Sequence, residues 1–338
     1  MRKLFPGYYA PNETEFSILW RDGIFIFDTC VLLDLYRYSD ETVENLFSTM
    51  EKIKNRIWIP FQIALEYHKN LFDVIKNQAN KYSESNKLLE DFKRKFQEKR
   101  NHPFLENELH LEIDKFAEKI KEQLQIKQDK ISSLINRKNP IKERLADIIN
   151  NSVGNPFTTE ELHQIYSDGE KRFSEKIPPG YKDKAGKSGT EKYGDLIIWK
   201  EICRKMQEID LPIIFVTSDV KEDWFQIVGE ITVGPRPELI QEIKKIKDNL
   251  FYIYSTDSFL RHAKNYLSVV ISDETLFEIT QTIQSEVNED DICISDDENT
   301  SFVEINNFNN RNSNLNSANA NEGSKLGRGK LENDDDSI

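Results

Sequence analysis

Four short apolar segments, separated by helical stretches, constrain the fold of this 338-residue chain most strongly. Each has the length and composition of a buried strand, and each ends in a polar turn or a proline. Strands that alternate with helices pair in parallel, so the pattern predicts an α/β fold in which helices cover both faces of a mainly parallel sheet. The segments are GIFIF (23–27), RIWIP (56–60), LPIIFVTSD (211–219) and NLFYIYSTD (249–257).

The region 71–150 has a different character. Apolar residues recur every three or four positions from Leu71 to Phe96 and from Leu109 to Leu134, with the break NHP at 101–103 between them. This spacing predicts an inserted antiparallel helical hairpin, within an α/β domain formed by 1–70 and 151–284. Residues 69–150 carry 18 bases and 14 acids. The hairpin would therefore guide nucleic acid, bind a protein partner or a second copy of the chain, or present an ordinary solvated face.

Residues 285–338 contain 13 acids and 4 bases and are rich in Asn, Ser and Asp. Such a segment buries too little apolar surface to offset its ordering entropy, so we expect an acidic disordered tail from about Glu286. The net charge of the whole chain is −13, yet the remainder has 46 acids and 42 bases. This nearly neutral body is compatible with a nucleic-acid partner. The tail either solvates the protein or competes with nucleic acid for a basic groove.

No stretch approaches the roughly 20 apolar residues of a membrane span, and the first residues lack the apolar core of a signal peptide. The cysteines Cys30, Cys203 and Cys293 lie far apart without metal-ligand spacing, so neither a disulfide framework nor a zinc site is expected. We therefore expect a soluble cytoplasmic protein with no membrane partner.

Five acids lie at or near the ends of predicted strands and helices: Asp28, Glu66, Asp195, Asp219 and Asp223. Each has an ordinary explanation as a helix cap, a turn residue or a surface acid. The carboxyl ends of parallel strands, however, meet at one edge of a sheet, where ligands bind. Carboxylates gathered there repel one another, and a hard divalent cation is the usual remedy.

Four segments, FDTCVLLDLYR, LEYHKN, YGDLIIWKEI and FVTSDVKEDWF, resemble in that order the four acidic motifs of the PIN domain, a metal-dependent nuclease fold. The similarity is greatest to the PIN-like branch with a long helical insertion and covers about residues 16–267. That branch also has a PPGY segment before the third acid, here within IPPGYKDKAGK (177–187). The resemblance implies a doubly wound, mainly parallel sheet of about five strands, with the acids at its carboxyl edge.

The resemblance also implies roles for individual residues. Asp28, Glu66, Asp195 and Asp219 match the acids that bind Mg²⁺ or Mn²⁺ and catalyse phosphodiester hydrolysis. Thr217 matches the hydroxyl residue of the fourth motif and is expected to contact the substrate. Asp223 is either a further metal ligand or a supporting or capping residue, and Asp34 is either a supporting residue or merely a cap.

Lysines precede the third acid in GYKDKAGKSGTEKYGD, at Lys182, Lys184, Lys187 and Lys192. They would contact substrate phosphates, or they belong to a flexible surface loop with solvated lysines. The implied substrate is RNA or single-stranded DNA, and the family suggests a toxin-like or defence effector.

Two other functions compete with this interpretation. The first is a catalytically inactive PIN-like module that binds nucleic acid or protein, although all four acids are present. The second is an unrelated α/β phosphotransferase or phosphatase. Against the second, the sequence has no Walker-type glycine loop, and Cys30 stands where an aspartyl-phosphatase motif has an acid.

Overall fold

The structure is a computed structural model that describes residues 1–97, 105–135, 138–182, 189–229 and 231–293. The chain divides into two units, residues 1–288 and 289–338, and in the second the structure describes only 289–293, the end of a helix. The strands are β1 (Ile24–Phe27), β2 (Ile213–Thr217), β3 (Phe225–Val228), β4 (Ile231–Pro235) and β5 (Phe251–Ser255). The helices are α1 (Glu13–Asp22), α2 (Thr29–Asp34), α3 (Asp40–Lys52), α4 (Phe61–Gln97), α5 (Asn107–Ser133), α6 (Pro140–Ile149), α7 (Thr159–Ser174), α8 (Gly194–Glu208), α9 (Pro237–Ile246), α10 (Thr256–Tyr266) and α11 (Asp273–Cys293).

The central sheet has the strand order β1, β2, β5, and both strand pairs are parallel. All five residues of β2 are buried, as expected for a central strand in an α/β fold. Phe27 pairs with Val216, and Thr217 pairs with Ser255. The carboxyl ends of the three strands therefore meet at one edge, where α2 and α10 begin directly after β1 and β5.

The sheet is smaller than the five strands that the resemblance implies. The predicted strand at 56–60 forms only isolated parallel bridges, between Ile57 and Phe25 and between Ile59 and Val153. It pairs on both sides, but it is short, because Pro60 has no N–H to donate and α4 begins at the next residue. A separate antiparallel pair is formed by β3 and β4.

The first helix of the predicted hairpin begins before residue 71, where the insertion was expected to start. α4 begins at Phe61, so Glu66 and the expected first arm of the hairpin lie on one helix of 37 residues, and the domain boundary expected at 70 falls inside it. α4 and α5 run antiparallel, because Ser83 bonds with Gln128 over 2.7 Å and Lys93 with Glu118 over 3.3 Å. The turn expected at 101–103 lies outside the described residues.

The last described helix, α11, ends at Cys293, beyond the expected start of the tail near Glu286. The rest of the predicted acidic tail, 294–338, lies outside the described residues. In the part of the chain that the structure describes, no helix has both the length and the apolar character needed to cross a membrane.

Burial along α4 generates a prediction about stability. Ile75 is 0% exposed and Leu88 is 70% exposed. Ile75→Ala should lower the free energy of unfolding by roughly 2 to 5 kcal/mol, because it leaves a cavity in the core. Leu88→Ala, the matched control, should change it by less than about 0.5 kcal/mol. Urea unfolding followed by tryptophan fluorescence measures both, and equal losses would show that the outer half of α4 also belongs to the core.

Candidate active site

Asp28 lies where β1 ends and α2 begins, and it is buried. Its Oδ1 accepts a hydrogen bond from the N–H of Thr29 over 2.7 Å, which caps α2. Its Oδ2 accepts one from the hydroxyl of Thr217 over 2.7 Å. Burial raises the pKa of Asp28 to about 6, and the nearby charge of Glu66 adds to the increase. Asp28 is therefore a helix cap, as one interpretation of the sequence had it, and also a carboxylate that is costly to ionise.

Glu66 lies in the second turn of α4 and is held by two side chains. The hydroxyl of Thr29 donates to its Oε2 over 3.0 Å, and the side-chain amide of Gln62 donates to its Oε1 over 2.7 Å. A Cβ at Gly194 would lie only 2.7 Å from Oε1, so the glycine lets α8 approach without displacing this carboxylate. Because Thr29 contacts both Asp28 and Glu66, the first two predicted acids are brought together.

Asp195 follows Gly194 in the first turn of α8 and is half-buried. Its helix therefore starts beside Glu66. The predicted PPGY segment also passes close by, because a Cβ at Gly180 would lie 3.2 Å from the Cβ of Asp195. Gly180 has a φ of +87°, which other residues rarely adopt, so this position favours glycine.

Thr217 connects Asp28 with the fourth predicted acid. Its hydroxyl donates to Asp28 and accepts a hydrogen bond from the backbone N–H of Asp219 over 3.0 Å. The carboxylate of Asp219 forms an ion pair with Lys221 at 3.3 Å. Asp219 is thus placed at the same strand end, with a cation beside it.

Asp223 is buried and holds the PPGY segment. Its Oδ2 accepts hydrogen bonds from the backbone N–H groups of Gly180, over 3.0 Å, and Lys182, over 3.3 Å. These contacts fit a residue that supports the site rather than one that binds a metal directly.

Asp34 also fits a supporting residue. It is buried and accepts a hydrogen bond from the hydroxyl of Ser218, just after β2, over 2.8 Å.

The two predicted substrate lysines that the structure describes both form ion pairs. Lys182 lies 3.1 Å from Glu222, and Lys192 lies 2.7 Å from Glu170. Lys184 and Lys187 lie outside the described residues.

The site as a whole combines a close pair of acids with others nearby. Within the described ranges, no three His, Cys, Asp or Glu side chains form a group that could enclose a metal ion. The donors nevertheless suit Mg²⁺ or Mn²⁺, because they are carboxylate oxygens, and a bound cation would offset the cost of ionising Asp28 beside Glu66.

Several residues of this site were not singled out from the sequence. Thr29 and Gln62 orient Glu66, and Cys30 lies 3.4 Å from both Asp28 Oδ2 and Thr217 Oγ1. The available signals were weak: Thr29 adjoins Asp28, and Gln62 lies one helical turn before Glu66, where side chains i and i+4 meet.

Glu201, on α8, is a further buried acid that sequence reasoning missed. Its Oε2 accepts a hydrogen bond from the backbone N–H of Gln62 over 3.0 Å, and so it caps the start of α4 from another helix. Its Oε1 is buried without a hydrogen-bond partner in the described part of the protein. Burial raises its pKa to about 7, and Glu66 contributes to the increase. Glu201 thus fixes the end of α4 that carries Glu66.

The family model described as "PIN like domain" matches residues 24–239, which confirms the resemblance indicated by the acidic motifs. No curated protein and no solved structure matches the chain.

The raised pKa of Glu201 predicts a pH-dependent stability. The folded state favours the neutral form of Glu201, so its contribution to stability is fully present below the ordinary pKa of 4.5 and is lost as the pH rises through about 7. The wild type should therefore lose up to about 3 kcal/mol of unfolding free energy over that range because of this residue. Glu201→Gln cannot ionise and should not show that loss. Urea unfolding in EDTA at several pH values measures the loss, with the exposed Glu208→Gln on the same helix as control. Parallel pH profiles for the wild type and Glu201→Gln would refute the prediction.

Proposed function

The chain belongs to the PIN-like domain family, and on that premise we propose that it is a metal-dependent nuclease that hydrolyses phosphodiester bonds of RNA or single-stranded DNA. One observation carries the proposal: Thr29 hydrogen-bonds both Asp28 and Glu66, so two carboxylates are fixed beside each other at the carboxyl edge of a parallel sheet. Ligands bind at this edge in open α/β folds.

The residues proposed to hold Mg²⁺ or Mn²⁺ are Asp28, Glu66, Asp195 and Asp219. Such a cation, when bound, supplies polarisation of the phosphoryl oxygen and a lower pKa for the attacking water. Asp223, proposed from the motifs as a further ligand, would act mainly by positioning the loop at Gly180, because its carboxylate accepts a hydrogen bond from the N–H of Gly180.

The surrounding side chains prepare the carboxylates for ligand binding. Thr217 fixes one oxygen of Asp28, and Thr29 and Gln62 fix both oxygens of Glu66. Because these rotamers are set by packing and hydrogen bonds beforehand, less conformational entropy is lost when a ligand binds.

Substrate binding would use lysines of the loop before Asp195. Lys182 and Lys192 are ion-paired with Glu222 and Glu170, so phosphates would have to replace exposed acids as their partners. The Lys182 pair is exposed on both sides, so exchanging its partner costs little. A toxin-like or defence role and a cytoplasmic location complete the proposal and rest on the family resemblance and the composition.

A catalytically inactive PIN-like binding module is the second candidate. One observation favours it: Asp219 is paired with Lys221, which would compete with a cation for that carboxylate. Cleavage assays separate the two candidates, because an inactive module would bind nucleic acid without cutting it in any divalent metal.

The central test of the proposal is Asp28→Asn, with Asp22→Asn as the matched control just before the opposite end of β1. We expect Asp28→Asn to abolish Mn²⁺-dependent cleavage of single-stranded RNA or DNA and to weaken Mn²⁺ binding. Its metal-free melting temperature should hold or rise, because a buried charge beside Glu66 is removed. Asp22→Asn should behave as the wild type in all three measurements.

Cleavage of structured RNA, single-stranded RNA and single-stranded DNA is compared in Mn²⁺ and in EDTA, and calorimetry gives the Mn²⁺ affinity. Wild-type cleavage by Asp28→Asn would remove this residue from the mechanism. Undiminished cleavage in EDTA would refute metal dependence.

The outer part of the α4 and α5 arm should affect substrate choice rather than chemistry. Replacing 87–119 by a short turn removes the exposed ion pairs of Lys93 with Asp114 and Glu118 but leaves Glu66 in place. We expect unchanged Mn²⁺ affinity and unchanged cleavage of a short generic strand, with altered selection among longer substrates or loss of a partner or of self-association. Loss of Mn²⁺ binding in a folded deletion protein would show that the arm shapes the metal site.

A further inference from the structure

A cavity lies at the opposite end of the sheet from the acids. Its volume is about 700 Å³, within the range of small-molecule sites. The amino-terminal segment 2–11 forms one wall, and the start of β5, the end of β4 and α9 form the others. Tyr252, which lines it, is three residues before Ser255, the partner of Thr217 at the acid end. The cavity is therefore separate from the candidate active site.

The shape of the amino-terminal wall is fixed by local packing. Gly7 has a φ of +89°, and a Cβ there would lie 2.7 Å from the Cα of Pro237, so this turn requires glycine. Arg2 reaches back to the carbonyl of Ala10 over 3.4 Å and lies 5.0 Å from the ring centre of Tyr9. The segment thus presents Tyr8 and Tyr9 to the cavity on a closed loop.

Two polar side chains that line the cavity have no hydrogen-bond partner among the residues that the structure describes. The two groups are the hydroxyl of Tyr252 and the side-chain amide of Gln226. By contrast, the hydroxyl of Tyr254, two residues after Tyr252, accepts from Trp20 over 3.1 Å. Both groups are accessible to solvent, so a ligand in the cavity can hydrogen-bond them without displacing a protein partner.

The charges at the cavity favour an anion. Arg2, Lys3 and Lys244 line it, against two acids, Glu15 and Asp248. The acids are already engaged: Glu15 accepts from the N–H of Asn12 over 2.8 Å, and Asp248 lies 2.8 Å from Lys244. Lys244 and, more weakly, Lys3 lower the pKa of Asp248, so this acid stays ionised. The three bases and two acids still leave a net charge of +1 at the cavity.

We propose that this cavity binds a nucleotide unit, either as a free nucleotide or as part of a single strand. Tyr8, and the face of Tyr9 that Arg2 leaves open, offer aromatic surfaces on which a base stacks. Tyr252 and Gln226 offer hydrogen bonds to its edge or to the sugar. Arg2 and Lys3 bind the phosphate. The cavity is a nucleotide site distinct from the one at which the backbone is cut.

The test uses full-length Asp28→Asn protein in EDTA, so that neither cleavage nor the proposed metal site affects the result. Calorimetric titrations compare AMP, inorganic phosphate and a 5′-phosphorylated (dA)₈. We expect AMP or the strand to bind with one site per chain and phosphate alone to bind much more weakly. Tighter binding of AMP identifies a free nucleotide as the ligand, and tighter binding of (dA)₈ identifies a strand.

Three variants locate the binding site. Tyr8→Ala, Tyr252→Phe and Lys3→Gln should each weaken binding about fivefold or more, as expected for lost stacking, a lost hydrogen bond and a lost phosphate contact. Lys245→Gln, an exposed neighbour of Lys244 on α9, is the matched control and should bind normally. Because Tyr252→Phe keeps the partly buried ring, its thermal melting should match that of the parent.

The proposal fails if neither AMP nor (dA)₈ binds at about 1 mM. It also fails if phosphate alone binds as tightly as AMP, or if the three variants bind like Lys245→Gln. These outcomes do not depend on nuclease activity, so a failed cleavage assay leaves the nucleotide site standing.

Discussion

Burying the carboxylate of Asp28 at the end of a core strand costs free energy that its surroundings must offset. The compensation comes from the sheet. The register that pairs Phe27 with Val216 puts Thr217 next to Asp28, and its hydroxyl donates to the carboxylate. A shift of one residue in that register would turn the Thr217 side chain to the other face and leave the acid without this bond. The position of the site is thus a consequence of strand pairing.

α8 and the PPGY segment complete the site, and each meets an acid at a glycine. α8 approaches Glu66 at Gly194, and the PPGY segment turns beside Asp195 at Gly180, whose φ of +87° favours glycine. Glu201 links α8 to α4 by capping the start of α4. The geometry of the acids therefore rests on close backbone approach and on one buried cap.

Some of this arrangement follows from the sequence and some does not. The apolar run before Asp28 predicts a buried strand end, and the ordered motifs predict the family, because both are local signals. The short segment at 56–60 was expected as a strand, but whether it forms a ladder depends on where α4 begins. The bridge through Thr29 to Glu66 depends on how α2 packs against α4, which no local pattern encodes. The hydrogen bond from the N–H of Gly180 to Asp223 joins residues far apart in the sequence, so no local pattern predicts it either.

The two ends of the sheet differ in the kind of polar group that each leaves available. At the carboxyl end, Asp28 and Glu201 have raised pKa values because they are buried near Glu66, so that end favours binding of positive charge. At the amino end, the acids are engaged by lysines and a backbone amide, and Arg2 and Lys3 accompany uncommitted hydroxyl and amide groups. That end favours an anion with an aromatic part. A nucleic-acid strand carries both phosphates, which a bound cation would attract, and bases, which stack on tyrosines. Under the proposed function, the opposite charge preferences of the two ends of the sheet would allow one polymer to be held at one end and cut at the other.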